Sequence, residues 1–475
     1  METKLITINI GGEISITNPP NNLIIWAKQN LTFVNPEYIS ALKGGRYFSS
    51  KKPKNIAIYT LIMNLLVVPY GCLAQVLDLC KRFDPLIIND CVKEDDTAVF
   101  FPRFLGALEN YQMSAVKTMV ERGSGVLQAP TGSGKTIIGL VVASLLGQRT
   151  LWLANRIDLV EQAYKSFMTF FKPMKGEATV FDNEKRDIGN LITFSTVQTF
   201  SRFPSEYYKN IFGAVIIDEA QGVVANPSTA QEYASILAKL NIVHKIGLTA
   251  TPKRSDGLTG TIFAMLGPLA YVVSENEVLG RVCPLEQKLI NFDTDYAFYD
   301  THFTDGRLDY SSLLEYLVND NKRNENIANE VERIIKTHEC FHLLVLTKRL
   351  EHIRRLKLLF EERGLRVGAL GGQGKSNAEV IRNYLYYDVI IATDSKAGVG
   401  LDLPALDGLI MVVPTHNDIL LTQAIGRIRR DYRGKEKATV YVINDTKIRY
   451  ANTYALLATR KVASLNRARE KGEER

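Results

Sequence analysis

The sequence predicts an α/β protein built as two tandem parallel-sheet lobes with a small α/β domain at the N-terminus. Three observations carry this. Apolar strand-like runs alternate with helix-period segments over about 105–275, and again over about 285–455, the pattern of a parallel sheet with crossover helices. Residues 129–136 read Ala-Pro-Thr-Gly-Ser-Gly-Lys-Thr between an apolar strand and an apolar helix. Residues 216–221 read Ile-Ile-Asp-Glu-Ala-Gln, so a strand apolar enough to be covered on both faces delivers two carboxylates at its end.

The elements follow in order. Residues 3–10 alternate, Thr3, Leu5 and Thr7 against Lys4, Ile6 and Ile8, as a half-buried strand does, with the choice of buried face left open. Asn18 to Asn22 is a turn cluster. Arg46, Tyr47, Phe48 and Lys51 to Lys54 form a basic loop that could hold duplex backbone or could be a solvated tip. Ile56 to Pro69 is apolar but interrupted by Asn64 and too short to span a bilayer; it reads as buried strand and helix. Cys91 to Phe101 reads as a linker. Strands are expected at 126–129, 150–154, 191–194, 213–217 and 244–248, then at 342–347, 366–370, 387–392, 408–413 and 438–443. Phe292 to Tyr310, with six aromatics and five aspartates, reads as a packed loop. The expected domains are 1–100, 101–278, 279–455 and a basic tail over 456–475.

Composition narrows the class. The chain has 475 residues and 46% apolar content, enough for several cores. Of the net charge of +7, residues 421–475 hold fourteen Lys and Arg against six Asp and Glu, which leaves the remainder near −1. That asymmetry suggests contact with a phosphate backbone, or a solvated helix face. Five cysteines without Cys-x-x-Cys spacing argue against a zinc site or a disulfide framework and for a reducing compartment. No signal-peptide pattern is evident, so a cytoplasmic protein, or one of a host cytoplasm if viral, is expected.

The glycine-rich loop fits a phosphate cradle. Thr131, Gly132, Ser133 and Gly134 can turn backbone N–H groups toward one phosphate, at a helix N-terminus that favours negative charge. Lys135 is expected to reach the β/γ-phosphates and Thr136 to ligate Mg²⁺. Asp218 is expected to hold the same ion and Glu219 to deprotonate water; an Asp at a strand-to-helix junction also caps well. Gln423 to Arg430 places Arg427 and Arg430 three apart, so a helix would show both on one face, either as paired phosphate-binding forks or as an ordinary basic face.

Together these residues resemble a superfamily 2 helicase, in the order of that family's motifs. The resemblance covers most of residues 105–450 and implies two RecA-like lobes that bind ATP with Mg²⁺. Tyr111-Gln112 resembles its Q motif, which implies that Gln112 reads adenine; Glu109 stands where an Arg is common. Leu153 to Arg156 and Ser195 to Thr199 resemble motifs Ia and Ib, which imply nucleic-acid contacts near Arg156 and Thr196. Asp218 to Gln221 matches motif II, with Gln221 where many relatives carry His. Thr249-Ala250-Thr251 matches motif III, a link from γ-phosphate to strand contacts. Leu344 to Thr347 resembles motif IV. Thr393 with Gly398, Gly400 and Asp402 resembles motif V, where Gly400 and Asp402 are implied at the nucleotide. Gln423, Arg427 and Arg430 match motif VI, the arginines as fingers. Gly247 to Pro252 with Arg254, Asp256 and Gly257, and Leu317 to Asn324, are similar to the xeroderma-pigmentosum-B-like branch, which includes phage branch-migration helicases and a poxvirus transcript-release helicase.

The expectation is an ATP-dependent DNA helicase or translocase, monomeric in its motor unit, acting on duplex, forked or branched DNA through the backbone and on no membrane. An RNA- or transcription-complex-directed motor, and a nucleotide-gated clamp without unwinding, stay open as alternatives.

Overall fold

The computed structural model describes residues 5–43, 53–90, 97–130, 132–224, 227–252, 256–278, 283–294, 303–304, 307–371, 375–394, 403–430 and 432–473. The chain divides into two compact units, Met1–Ser274 and Glu275–Arg475. Of the expected features, Arg46, Tyr47, Phe48, Lys51, Lys52, Thr131, Arg254, Gly398, Gly400, Asp402 and most of 292–310 lie outside the described residues.

Among the described residues the first unit holds two large sheets and a short two-stranded pair. The N-terminal sheet contains β1 (Ile6–Ile10), β2 (Glu13–Thr17), β5 (Thr60–Ile62), β6 (Leu65–Pro69) and β7 (Leu86–Asp90), in the order β5-β6-β2-β1-β7. A separate short pair, β3 (Thr32–Val34) with β4 (Asn55–Ala57), lies between β2 and β5 in the chain. The alternation of β1 resolves toward Ile6, Ile8 and Ile10, which pack with Ile14, Ile16, Leu66 and Val68 against Leu23, Ala27 and Val76 of two helices. The expected helix within 56–69 is absent. The chain instead forms the β5–β6 hairpin, because Met63 takes a left-handed φ of 48° at its tip beside Asn64. Ile62 and Met63 there are exposed.

The second sheet is wholly parallel, with β8 (Gly125–Gln128), β9 (Thr150–Ala154), β10 (Ala178–Phe181), β11 (Ile192–Thr196), β12 (Ala214–Asp218), β13 (His244–Thr249) and β14 (Leu269–Val272) in the order β10-β11-β9-β12-β13-β8-β14. Every residue of β9 and β12 is buried, as strands covered on both faces require. Residues 97–101 of the expected linker run as a strap along this sheet's flank; the rest of it lies outside the described residues. Arg149 N donates to Thr97 O and Val99 N to Gly147 O, while Phe101 meets Phe167 edge-on.

The two sheets of this unit join at a close seam. A side chain at Gly12 would collide with the Ala238 carbonyl, and one at Gly71 with the backbone of Phe263 and Gly267, so backbone lies against backbone at both points. Lys245 of β13 is fully buried between them; its Nζ donates to Gly12 O at 2.6 Å and sits 4.2 Å from the Tyr70 ring centroid. Burial pulls this ammonium down to about 7, with Glu13 opposing the shift. Below about pH 7 the buried charge costs stability in full. Between there and its ordinary value of 10.5 the unfolded chain binds the extra proton, so the residue's contribution grows more favourable as pH rises. The stability difference between the native chain and Lys245→Met is therefore expected to shift in favour of lysine from pH 6.5 to 9.5 in thermal unfolding. A difference flat across that range would rule out the depressed ammonium.

The second unit carries one six-stranded parallel sheet: β15 (Leu285–Phe292), β18 (Leu343–Thr347), β19 (Val367–Leu370), β20 (Val389–Thr393), β21 (Gly408–Met411) and β22 (Ala438–Asp445), ordered β15-β22-β21-β18-β20-β19. A two-residue hairpin, β16 (Phe303–Thr304) with β17 (Arg307–Leu308), precedes its first long helices. The expected tail is not one. Residues 456–466 continue the helix Arg449–Glu473, which buries Ala458, Val462 and Leu465 against the sheet, and Asn466 exchanges two hydrogen bonds with the backbone of Leu285.

Candidate active site

In the first unit, the sheet order places β13 between β12 and β8, so three motif-bearing strand ends lie side by side. β8 runs into the glycine-rich loop, β13 ends at Thr249 and β12 at Asp218. Ala129 N donates to Thr249 O at 2.9 Å, which seats the loop on β13. Gly134 has a left-handed φ of 77° and precedes the helix Lys135–Leu146; a side chain there would meet Gln112 Nε2 at 2.5 Å. Only glycine suits both demands.

Gln112 is 4% exposed. Its Oε1 accepts from Glu109 N at 3.0 Å, closing a capping box with Glu109, and its Nε2 donates to Ser133 O at 2.9 Å. Tyr111 OH donates to the same carbonyl at 3.0 Å. The pair therefore braces the phosphate loop. Ser133 Oγ and Thr251 Oγ1 are buried with no hydrogen-bond partner among the described residues.

Asp218 is 4% exposed, and its Oδ1 accepts from Glu219 N at 3.0 Å. Burial, then the charge of Glu219, pushes its carboxyl up to about 7, while Lys135 pulls it down. Glu219 holds a left-handed φ of 53°, a strained backbone for a non-glycine residue, and such strain collects at functional sites. Its Oε2 accepts from Gln221 Nε2, and Gln221 Oε1 accepts from the Thr249 hydroxyl. Thr251 N donates to Thr249 Oγ1 at 3.2 Å. One glutamine thus joins the second carboxylate to the motif III strand, through both ends of its amide. Tyr233, which the sequence did not single out, has its phenol raised by burial, then by the nearby charges of Asp218 and Glu232.

The expected nucleic-acid residues divide. Arg156 gives its guanidinium to Asp158, at 3.0 and 2.6 Å. Thr196 caps the short helix that follows, accepting from Thr199 N at 3.2 Å. In the second unit Thr347, in the segment that resembles motif IV, is fully buried. Its hydroxyl donates to His352 Nδ1 at 2.8 Å, and His352 Nε2 donates to Asn324 Oδ1 at 2.9 Å. Burial holds that imidazole neutral, down to about 3. Beside it, Arg323 pairs with Asp445 through two bonds of 2.8 and 3.0 Å, both side chains 1% exposed. The sequence marked the Leu317–Asn324 segment, but not this buried network. Thr393 ends β20 opposite Thr347. The next residue, Asp394, is raised to about 6 by burial, with Lys348 opposing.

Arg427 lies in the last turn of the helix Asp418–Ile428, which also carries half-buried Gln423. Arg430 does not share that helix, contrary to the spacing argument. The helix ends at Ile428, with Arg429 as its C-cap, and the carbonyls of Arg429 and Arg430 turn to Cys283 N and Lys435 Nζ. Arg429, absent from the sequence argument, is the more deeply buried neighbour at 6% exposure.

A glycine-rich loop opening a helix, beside the buried Asp218 and half-buried Glu219 at the end of one parallel strand, defines a P-loop nucleoside-triphosphate-binding protein. Comparison with known proteins sharpens this. The family model described as "Type III restriction enzyme, res subunit" matches residues 106–254. The chain is 29% identical over 206 residues to the DNA 3'-5' helicase XPB of Mycobacterium tuberculosis, covering 41% of this chain and 36% of that one. It is 22% identical over 423 residues to the ATP-dependent DNA helicase uvsW of Enterobacteria phage T4, covering 82% of each. The structure of an HsdR-type fragment of a type I restriction enzyme from Vibrio vulnificus shares the fold, with TM-score 0.53 and 17% identity over 74% of this chain and 66% of that one. The chain is thus similar in sequence to helicases, XPB-like and phage-like among them, and its two large parallel sheets are RecA-like. It spans 63% of the length of one viral relative and 36% of the mycobacterial one.

Proposed function

We propose that the chain is an ATP-dependent DNA helicase or translocase that couples hydrolysis to unwinding or branch migration. The observation that carries this is the chain of side chains from Glu219 through Gln221 to Thr249, which ties the hydrolytic carboxylate to the strand that seats the phosphate loop. Lys135 binds the β/γ-phosphates. Glu219 accepts the proton of the attacking water, with Gln221 fixing one of its oxygens. Arg427 and Arg430 stabilise charge on the transferring phosphoryl group. The DNA-directed names of the phage and mycobacterial relatives favour DNA over RNA.

The donors at this site fit Mg²⁺. Asp218 is a buried carboxylate crowded by Glu219, an arrangement that a cation relieves, and Thr136 adds a hydroxyl on the first turn of the helix. Mg²⁺ takes one or two protein oxygens and completes its shell with phosphates and water. When bound there it would supply positive charge that neutralises charge developing on the transferring phosphoryl group.

We further propose residues 1–100 as an accessory DNA-contacting domain on the first motor lobe, with 101–278 and 279–455 as the lobes. Contacts through phosphates carry no base information, so weak sequence preference and steep weakening by salt are expected. Among the described residues no helix is long and apolar enough to cross a membrane.

The test is ATP hydrolysis and strand separation measured on single-stranded, duplex, forked and four-way DNA, with an RNA control. Stimulation by branched DNA with strand displacement supports the reading; stimulation by RNA alone, or binding without displacement, overturns it. Gln221→Ala, which cuts the link between Glu219 and Thr249, is expected to lower DNA-stimulated turnover by roughly 10–100-fold, as loss of an orienting partner does elsewhere. ATP binding followed by a fluorescent analogue should change little. Unchanged stimulated turnover would remove Gln221 from the coupling path.

A further inference from the structure

We infer that Lys435 is a positioning residue for Arg430, holding the end of motif VI in register with the chain that follows motif V. The inference rests on the proposed role of Arg430 in hydrolysis, and the evidence for the hold is independent of that role.

Arg430 has left its helix, so no helical ladder fixes it. Its carbonyl is held by Lys435 Nζ at 2.9 Å and approached by Cys283 Sγ at 3.7 Å. The same ammonium donates to Leu406 O at 2.6 Å and Pro404 O at 3.1 Å. An ammonium has three N–H donors, and three main-chain carbonyls take them here. Two belong to the segment just after the motif V residue Asp402, and the third to Arg430 itself.

Neighbouring groups make this a built site. Gly434 takes a left-handed φ of 83°, which reverses the chain, and Lys435 N donates to Tyr432 O at 2.9 Å. The turn thereby folds the lysine back toward the residue five positions earlier. On the other side, Asp407 accepts from Phe341 N and His342 N, the latter at 2.8 Å, anchoring the 404–406 segment to the entry of β18. The carbonyls that Lys435 grips are thus fixed to the sheet, and Arg430 is fixed to them. Lysine suits this task better than arginine. A compact ammonium can point three donors at three separated carbonyls, whereas a guanidinium is a planar fork matched to carboxylate or phosphate.

A misplacement of about 1 Å in a reacting geometry can cost roughly 10²-fold in rate. Lys435→Met keeps the length of the side chain and removes the donors. In the full-length protein it is expected to lower kcat for DNA-stimulated ATP hydrolysis by about 10–100-fold while leaving KM for ATP little changed. Lys435→Arg should recover part of the loss. In an Arg430→Ala background, Lys435→Met should add no further loss, because the group it positions is gone.

Wild-type kcat in Lys435→Met, no recovery in Lys435→Arg, or a full additional loss in the Arg430→Ala background would each overturn the inference. If Lys435→Met does not fold, as judged by circular dichroism and thermal unfolding, Lys435→Gln carries the same comparisons. The underlying reading fails separately: wild-type hydrolysis by Arg430→Ala would remove the catalytic role of Arg430. Slow Arg430→Ala beside a fully active Lys435→Met would remove only the positioning role.

Discussion

Arg427→Ala is expected to bind ATP as the native chain does and to lose turnover on the order of 10³–10⁵-fold, the range of an arginine that meets phosphoryl charge only in the transition state. The residue is 7% exposed in the last turn of its helix, between Ala424, Ile425 and Ile428, which are fully buried. Those neighbours keep the helix in place when the guanidinium is removed, so the loss should fall on chemistry and leave the fold intact. Equilibrium binding of a fluorescent ATP analogue beside steady-state hydrolysis separates the two. A fall in affinity as large as the fall in rate would show ground-state binding instead.

Lys135→Ala is expected to cost at least about 10²–10³-fold in turnover, the scale for removing one preorganised electrostatic donor. The helix it opens should survive, since Ile138, Leu140, Val141, Val142 and Ala143 bury its inner face. Within the protein its ammonium gives up a 3.4 Å hydrogen bond to Pro130 O. Thermal unfolding without nucleotide should therefore move little, while stabilisation by added ATP and Mg²⁺ should largely vanish. A variant that still hydrolyses ATP at the native rate would end the assignment of this loop.

The parts most legible in the sequence were those in which one physical demand decides the residue. β12 is apolar because both its faces are covered, and its two carboxylates mark where the cover stops. The glycines of the phosphate loop are dictated by backbone angles. Spacing failed where the chain left its regular element. Arg430 is three residues after Arg427, but a helix-face argument needs the helix to continue, and here the final carbonyls are claimed by Cys283 and Lys435. Short strands such as β10 and β14, four residues each, offer too few positions for a period to show.

Some polar contacts carry no sequence signal at all. Thr347 bonds His352 only five residues on, but Asn324, which completes the network, joins it only in the fold. The burial of Lys245 is likewise not legible, since nothing near it in the chain announces Gly12 or Tyr70. The expected helix within 56–69 failed differently. An apolar run has no direction of its own, and Met63 with Asn64 makes it double back.

The glycine-tight seam at Gly12 and Gly71 has a mechanical consequence. It holds the end of the helix Pro227–Lys239, just before the strand that ends at Thr249, and the helix Thr259–Leu266 after that strand, close against the N-terminal sheet. A load applied to that sheet would arrive at the phosphate loop undamped, like weight hung on a bracket welded to the engine block.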